Sequence, residues 1–319
     1  MEVIRLHHPY DQSILDGQAV VLAMGFFDGL HRGHRAVIKA AKIEAERRQL
    51  PLAVLTYNHH PSIVFEAHAA PLQYLTPLPR KLALLAELGV ERTYVVDFTA
   101  AYAQQDPQTF VDNYIIGLHA QAAVAGFDHT YGKHDGQADM KHLAQYARGQ
   151  FTVIEVPKVT VNGVESASRY ARQLVDQGRM DEATSFLTMP YQTTGVIVHG
   201  QARGRQMGYP TANIETPLDE RLPGIGVYVV AMQVAKRWYY GMASIGYNIT
   251  FGEGRPKTVE IHLFDFSGNL YGETVTVKWL HYLRGEEKFA GMAELKAKLA
   301  IDEEVSRTYL AQIENQEVH

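Results

Sequence analysis

The sequence contains no cysteine among its 319 residues. That absence excludes a disulfide scaffold, a thiolate metal site and a cysteine nucleophile. It is compatible with the reducing cytoplasm, which is where we expect the protein to act. The chain also lacks a run of about 18 apolar residues and an apolar leader near its N-terminus, so the sequence predicts no membrane span and no signal peptide.

No cluster of lysine and arginine stands out along the chain. The 30 basic residues are outnumbered by 35 acidic ones, which gives a formal net charge of -5. Because a protein that grips nucleic acid is usually basic on at least one face, this balance argues against nucleic acid as a partner. The length is about twice that of a common single domain, and hydrophobic residues make up 46% of the chain, so we predict two domains with real cores.

Short apolar stretches alternate with helical stretches in the first half of the chain. The strand-like stretches are 19–24, 52–57, 93–98, 122–126 and 151–156. Asp106 followed by Pro107 is typical of an N-cap and the first position of a helix. Apolar strands that alternate with helices predict a doubly wound α/β domain around a parallel sheet, and we assign residues 1–185 to it.

From about Tyr191 the pattern changes to closely spaced strand-like segments with glycine-rich connections. In one of these segments the side chains alternate between two faces of the predicted strand. Val259, Ile261 and Leu263 lie on one face, and Glu260, His262 and Phe264 lie on the other. Such alternation is typical of antiparallel strands with one buried face. We therefore predict an antiparallel barrel or sandwich in residues 186–319, ending in a helix.

The segment "GFFDGLHRGH" follows the first predicted strand of the sheet. In an open parallel sheet, ligands bind beyond the carboxyl ends of the strands, where this segment lies. Gly25 and Gly29 permit a sharp turn and a close approach to a ligand, and His31 and His34 fall on one face of the first helical turn. Imidazoles at a helix start predict a phosphate site that donates hydrogen bonds to developing charge. A metal site would need more ligands than His-x-x-His, and packing is the alternative for a single histidine.

A second glycine-bearing segment reads "HGQARGRQMGYPTANIE". Gly200, Gly204 and Gly208 can bring backbone N–H groups close to phosphates, although the segment is not a Walker A loop. Thr211 and Asn213 add a hydroxyl and an amide carbonyl, which are hard oxygen ligands suited to Mg²⁺. From spacing alone, a glycine-rich barrel turn with Asn213 as an N-cap explains the segment about as well.

The first motif resembles the Gly-x-Phe-Asp-Gly-x-His-x-Gly-His signature of the nucleotidyltransferase superfamily. The segments "GRQMGYPTAN", "GIGVY", "NITFGEGRPKTVEIHLFDF" and "LYGE" resemble the riboflavin kinase domain in their order and spacing. Nearly the whole chain is thus similar to the prokaryotic bifunctional riboflavin kinase/FAD synthetase family. The resemblance implies a six-stranded antiparallel barrel in the second half, ATP with Mg²⁺, and riboflavin, FMN and FAD as substrates and products.

The resemblance also implies roles for particular residues. His31 and His34 would stabilise the α-phosphate of ATP during adenylyl transfer, and Glu260 would be the base of the kinase. The other residues implied at the ATP site of the first domain are Gly25, Phe26, Asp28, Gly29, Ser168 and Arg172. Those implied at its FMN site are Asn58, Asp128 and Tyr131. Those implied at the ATP and flavin site of the kinase are Gly200, Gly204, Arg205, Gly208, Tyr209, Pro210 and Tyr228, with Thr211 and Asn213 at the metal.

Departures from the family pattern all lie in the first domain. His129 stands where the family carries an aromatic residue, Asn58 where an acidic residue is frequent, and Arg169 and Ala171 in place of Thr and Ile. They leave open a kinase whose first domain is a weak adenylyltransferase. A flavin-responsive regulator that binds RNA is a third hypothesis, and the lack of a basic cluster counts against it.

Overall fold

The protein is described from a computed structural model that covers residues 1–133, 137–200, 204, 208–247 and 257–317. Two compact units are formed by Met1–Ser168 and Arg169–His319. The division after residue 185 stays a prediction about where the two activities separate.

The first unit is built on a six-stranded sheet of order β1-β4-β3-β2-β5-β6, in which every pair is parallel. Its strands are β1 (Glu2–Leu6), β2 (Val20–Met24), β3 (Leu52–Tyr57), β4 (Arg92–Val96), β5 (Ala120–Gly126) and β6 (Thr152–Val156). All residues of β2, β3 and β4 are buried, as expected for parallel strands covered on both faces. The predicted doubly wound α/β domain is confirmed.

Helices and short turns connect these strands. They are α1 (Arg32–Arg48), α2 (Ser62–Phe65), α3 (Leu78–Glu87), α4 (Ala100–Ala103), α5 (Pro107–Val111) and α6 (Met140–Ala147), with a 3₁₀ turn at Gln12–Ile14, a π turn at Asp112–Ile116 and a small hairpin of β7 (Thr160–Val161) and β8 (Val164–Glu165). Helix α5 begins as predicted, because the Asp106 carboxylate accepts the backbone N–H of Thr109 at 3.0 Å and Pro107 follows as its first residue.

Strand β2 lies at the topological switch point of the sheet. The chain leaves β2 for its neighbour β3 on one side, whereas its other neighbour, β5, comes later and continues outward to β6. In open α/β sheets the ligand binds at the carboxyl edge at this kind of point. Since β2 ends at Met24, the "GFFDGLHRGH" segment begins there.

The second unit contains a closed barrel of order β10-β13-β12-β11-β14-β9, with every pair antiparallel. Its strands are β9 (Tyr191–Val198), β10 (Ala212–Glu215), β11 (Gly226–Val234), β12 (Arg237–Tyr247), β13 (Lys257–Leu263) and β14 (Thr274–Arg284). Its helices are α7 (Ser168–Asp176), α8 (Met180–Leu187) and α9 (Met292–Glu317). The predicted barrel and C-terminal helix are confirmed, and closure leaves the sheet without free edges.

Alternation along β13 follows the prediction except at its end. Val259, Ile261 and Leu263 are buried, while Glu260 is exposed. Phe264 was predicted to share the polar face, but it lies beyond the end of β13 and is buried in a cluster that includes Leu310 of α9. The prediction was wrong there because helix α9 covers that part of the barrel surface. Among the described residues, no helix combines the length and the apolar character needed to cross a membrane.

Candidate active sites

The loop between β2 and α1 is tightly wound. Phe27, Gly29 and Leu30 have φ angles of 57°, 83° and 43°, and Phe27 and Leu30 are buried. A Cβ added to Gly25 would lie 3.0 Å from the Phe27 ring, so any larger residue here would press on the ring where it folds back over the strand end. The buried side chains of Phe27 and Leu30 hold the loop in a conformation that non-glycine residues rarely adopt, and helix α1 therefore starts close to the carboxyl end of β2.

The histidine pair lies at the start of helix α1. His31 is its N-cap rather than a residue of the first turn, and its Nδ1 accepts the backbone N–H of His34 at 3.4 Å. The two rings are stacked, with centroids 3.7 Å apart and planes 23° from parallel. The structure therefore brings both predicted residues together at a helix N-terminus, where the helix dipole favours an anion.

Ser166 contacts this pair, although sequence reasoning did not select it. Its Oγ accepts the backbone N–H of Gly33 at 3.0 Å and lies 3.1 Å from Nδ1 of His31. A Cβ on Gly33 would lie 3.0 Å from the Ser166 carbonyl oxygen, so a larger residue would push the two segments apart. No local pattern points to Ser166, since it lies 133 residues from Gly33 along the chain.

Asp28 lies under the motif and is 1% exposed. Its carboxylate accepts the backbone N–H of Thr76 at 3.0 Å, and the Thr76 hydroxyl accepts the N–H of Gly29 at 2.8 Å. The carbonyl oxygen of Asp28 accepts the hydroxyl of Ser168 at 2.9 Å. These bonds fasten the loop to two distant segments, so Asp28 and Ser168 shape the site, and their contacts with ATP stay predictions.

Lys81 is a second residue that sequence reasoning missed. It lies on α3, 2% exposed, with its Nζ 3.8 Å from the centroid of the Phe26 ring. Burial lowers the pKa of Lys81 to about 7, and the nearby Asp28 carboxylate opposes that shift. A usable signal was present, because Lys81 precedes the buried Leu84 and Leu85 by helical spacing.

The residues predicted to bind FMN follow β3 and β5. Asn58 donates from Nδ2 to Asp97 at 2.9 Å and accepts the N–H of Phe98 at 2.9 Å, so it ties the ends of β3 and β4 together. Asp128 is exposed beyond β5. Tyr131 belongs to the core, with its ring stacked on Phe110 at 5.1 Å. Their FMN contacts stay predictions, and only Asp128 among the three is openly exposed.

His129 replaces an aromatic residue of the family pattern, and its ring behaves like one. Desolvation on burial lowers its pKa to about 4, so the ring is neutral at pH 7. It stacks near Tyr131, with centroids 6.4 Å apart and planes 28° from parallel. Arg172 lies on α7, in the second unit.

Three of the residues predicted for the kinase, Thr211, Asn213 and Glu260, lie close together on the barrel. Asn213 on β10 is paired directly with Glu260 on β13, which is paired in turn with Ser244 on β12. Directly opposed residues share a face of the sheet, so amide, carboxylate and hydroxyl form one row. Thr211 lies two residues before Asn213, and its hydroxyl donates to Glu260 Oε2 at 3.3 Å. Because Asn213 lies within β10, the alternative of a helix N-cap is wrong.

The glycine-bearing loop leads into this row. A Cβ on Gly200 would lie 2.1 Å from Asn213 Nδ2, so Gly200 makes room for the amide. The carbonyl oxygen of Gly204 accepts the N–H of Tyr209 at 2.9 Å, and Gly208 has a φ of 85° that favours glycine. Arg205 and residues 248–256 lie outside the described residues.

Beside the row is an open cavity of about 550 Å³, lined in part by Tyr209, Pro210, His262, Phe264, Phe266 and Arg307. Nδ1 of His262 donates to the carbonyl oxygen of Pro210 at 2.9 Å, and the Arg307 guanidinium lies 4.7 Å from the centroid of Phe264. Tyr228 is instead fully buried and donates to the carbonyl oxygen of Gly224 at 2.6 Å, so its predicted ligand contact stays a prediction.

Thr211, Asn213 and Glu260 each offer an oxygen atom that could bind a metal ion. Within the described ranges, no three acidic or histidine side chains form a cluster that could hold a metal ion. Mg²⁺ is usually held by one or two protein oxygens together with water and substrate phosphates rather than by an all-protein cage. The donor set therefore fits an Mg²⁺ ion shared with a nucleotide.

Comparison with known proteins assigns each half of the chain. Residues 14–170 match the family model described as FAD synthetase, and residues 187–310 match that described as riboflavin kinase. These matches define a two-domain enzyme of flavin nucleotide synthesis. The chain belongs to the family of bifunctional riboflavin kinase/FMN adenylyltransferases.

Relatives of this family are similar over their whole length. The bifunctional riboflavin kinase/FMN adenylyltransferase of Listeria monocytogenes is 43% identical over 99% of this chain and 100% of its own. That of Bacillus subtilis is 38% identical over 98% and 99%, respectively. A crystal structure described as a macrolide-efflux protein from Streptococcus pneumoniae has a TM-score of 0.89 and 34% identity, covering 96% of this chain and 99% of that one.

Proposed function

We propose that the chain converts riboflavin to FAD in two ATP-dependent steps, with phosphorylation on the barrel and adenylylation of FMN at the histidine pair. The observation that carries the proposal is the separation of two dissimilar sites. The histidine pair lies in the part of the chain that matches FAD synthetase, and the Asn213–Glu260 row lies in the part that matches riboflavin kinase.

In the kinase step, the 5′-hydroxyl of riboflavin is a weak nucleophile until a base removes its proton. Glu260 is exposed on β13 and takes that proton, which contributes about 10²–10⁴ in rate. The hydroxyl oxygen then bonds to the γ-phosphorus of ATP while the bond to the β-phosphate oxygen breaks, so that ADP leaves. The Thr211 hydroxyl, 3.3 Å from Glu260 Oε2, orients the carboxylate for this role.

Thr211 and Asn213 would hold Mg²⁺ through their hydroxyl and amide oxygens. Bound there with ATP, the ion would neutralise charge on the transferring phosphoryl group. Gly200 keeps the Asn213 amide in the position that this contact requires.

The flavin ring binds in the cavity beside the row. Tyr209 and His262 contribute aromatic side chains to its wall, and planar ligands stack well on such groups. His262 lies two residues after Glu260 on β13 and so on the same face of the strand, which brings the ribityl side chain of a flavin held beside His262 near the base.

In the second step, a phosphate oxygen of FMN attacks the α-phosphorus of ATP and pyrophosphate leaves. The attacking phosphate is already ionised, so no general base is needed. His31 and His34 donate hydrogen bonds to the α-phosphate as negative charge builds in the transition state. The helix dipole of α1 favours the same negative charge at the N-terminus of the helix.

We place both reactions in the cytoplasm, where ATP is available and where a chain without cysteine needs no oxidising environment.

The test of the proposed function is chromatography of the purified full-length protein incubated with riboflavin and MgATP, and separately with FMN and MgATP. FAD in both reactions is the expected result. FMN alone from riboflavin would restrict the proposal to the kinase, and the absence of both products would refute it.

A further inference from the structure

The hydroxyl of Ser166 lies between a backbone donor and the ring of His31. Ser166 is 9% exposed, and its own backbone N–H donates to the carbonyl oxygen of Val159 at 2.8 Å, which fixes its position beyond the small hairpin. Its Oγ accepts the N–H of Gly33 at 3.0 Å and stands 3.1 Å from Nδ1 of His31. The serine therefore joins the start of α1 to the imidazole that caps it.

The direction of these bonds fixes the proton of the ring. The backbone N–H of His34 points to Nδ1 of His31 at 3.4 Å, and a backbone amide can only donate, so Nδ1 is an acceptor. Since an acceptor Nδ1 has no proton to give, the contact at 3.1 Å is made by the Ser166 hydroxyl donating its hydrogen to Nδ1, while its oxygen accepts from Gly33. A neutral imidazole whose Nδ1 accepts carries its proton on Nε2.

We propose that Ser166 is a positioning residue that holds His31 in the Nε2–H tautomer, so that the ring offers a hydrogen-bond donor to a phosphate oxygen. This inference rests on the proposed adenylyl transfer at the same site. An acceptor nitrogen facing the phosphate would repel the oxygen instead of binding it. The group that orients an imidazole decides which of its two nitrogens faces the ligand, and here that group is the Ser166 hydroxyl.

The tautomer can be read directly without any turnover. In the full-length protein labelled with ¹⁵N-histidine, two-dimensional ¹H–¹⁵N spectra that report the ring nitrogens should show an unprotonated Nδ1 and a protonated Nε2 for His31, assigned with a His31→Gln variant. In Ser166→Ala the Nδ1 resonance should shift, because it loses one of its two donors. A protonated Nδ1 in the unaltered protein, or an unchanged spectrum in Ser166→Ala, would overturn the inference.

Ser168→Ala provides the matched control for the spectrum. It removes a hydroxyl two residues away that donates to the carbonyl oxygen of Asp28 rather than to a histidine. The His31 resonances should therefore keep the pattern of the unaltered protein, whatever the change does to the rate. A shift equal to that of Ser166→Ala would show that general loosening of the loop, and not the Ser166 hydroxyl, sets the tautomer, and would overturn the inference.

The kinetic test separates positioning from packing. Ser166→Ala should lower kcat for FAD formation from FMN by about 10- to 100-fold with a smaller change in KM for ATP, while Ser166→Thr, which keeps the hydroxyl, should restore most of it. FMN formation from riboflavin in the same preparation controls for folding. Equal losses of kcat for FAD formation in Ser166→Ala and Ser166→Thr, or an effect on KM alone, would contradict the inference. If the unaltered protein forms no FAD, the proposed function fails, but the spectra still decide the tautomer.

Discussion

Asn213 on β10 and Glu260 on β13 lie directly opposite each other in an antiparallel pair. This relationship places the amide and the carboxylate on one face of the barrel, where the Thr211 hydroxyl joins them at 3.3 Å from Glu260. Because the register of a closed barrel is fixed on both sides, the distance between the proposed base and the proposed magnesium ligands is set by the fold itself. The kinase chemistry should therefore respond sharply to changes in this row.

Glu260→Gln should lower FMN formation from riboflavin by about 10²–10⁴-fold, because an amide cannot accept the proton of the 5′-hydroxyl. FAD formation from supplied FMN should not change. Initial rates of both products, measured by chromatography, check the prediction. Glu215→Gln is the matched control, since it neutralises an exposed carboxylate on the neighbouring strand and should leave both rates near their original values. A kinase rate unaffected by Glu260→Gln would remove this residue from the role of base.

Gly200→Ala should lower FMN formation by up to about 10²-fold, the loss expected from misplacing a binding group by about 1 Å. The physical reason is that the added methyl would overlap the Asn213 amide, which lies 2.1 Å from its position. Gly291→Ala serves as the control, since among the described residues an added Cβ there meets nothing within 4 Å. Titration of Mg²⁺ in the kinase assay should show a raised requirement in Gly200→Ala only; an unchanged requirement and rate would contradict the placement of Asn213.

Much of the fold could be predicted because burial leaves a pattern in the sequence. Strand β3 occupies the predicted Leu52–Tyr57 without change, since six consecutive buried residues read as an apolar run. Strand β1 was not predicted, because it lies at an edge and four of its five residues are at least partly exposed. Its pairing with β4 depends on a contact that periodicity cannot show. Phe264 was misplaced for a similar reason, since only the fold brings α9 over it.

Lys81→Met should flatten the dependence of stability on pH between 7 and 9. In the folded protein the pKa of Lys81 is about 7, compared with 10.5 for an unperturbed lysine. Between these values the unfolded chain binds one more proton than the folded chain, so this group makes the free energy of unfolding rise with pH, by at most about 1.4 kcal/mol per unit. The substitution removes the titrating amine and with it this contribution.

Urea denaturation followed by far-ultraviolet circular dichroism at pH 7, 8 and 9 measures this dependence. Lys39→Met, which changes an exposed lysine of α1, should keep the slope of the unaltered protein. If Lys81→Met keeps that slope as well, the buried amine does not titrate in this range, and the account of its environment beside Phe26 is wrong.

The candidate sites were predictable where one short segment carries several of their groups. The glycines and histidines of "GFFDGLHRGH" and the Thr211–Asn213 pair could be selected in this way. Ser166 could not, because its contact with His31 spans 135 residues and a lone serine carries no pattern. Tyr131 and Tyr228 were selected through the family resemblance, yet both are buried in cores. Spacing does not distinguish an aromatic residue of a pocket wall from one packed beneath it.

The most direct test of two separate sites is the product profile of His34→Ala supplied with riboflavin and MgATP. Without this imidazole the α-phosphate loses a donor, so FAD formation should fall by about 10²–10³-fold while FMN forms at its original rate and accumulates. Chromatography over a time course resolves the two flavins in one sample. A parallel fall of FMN and FAD would contradict the account, because it would mean that a single site serves both transfers.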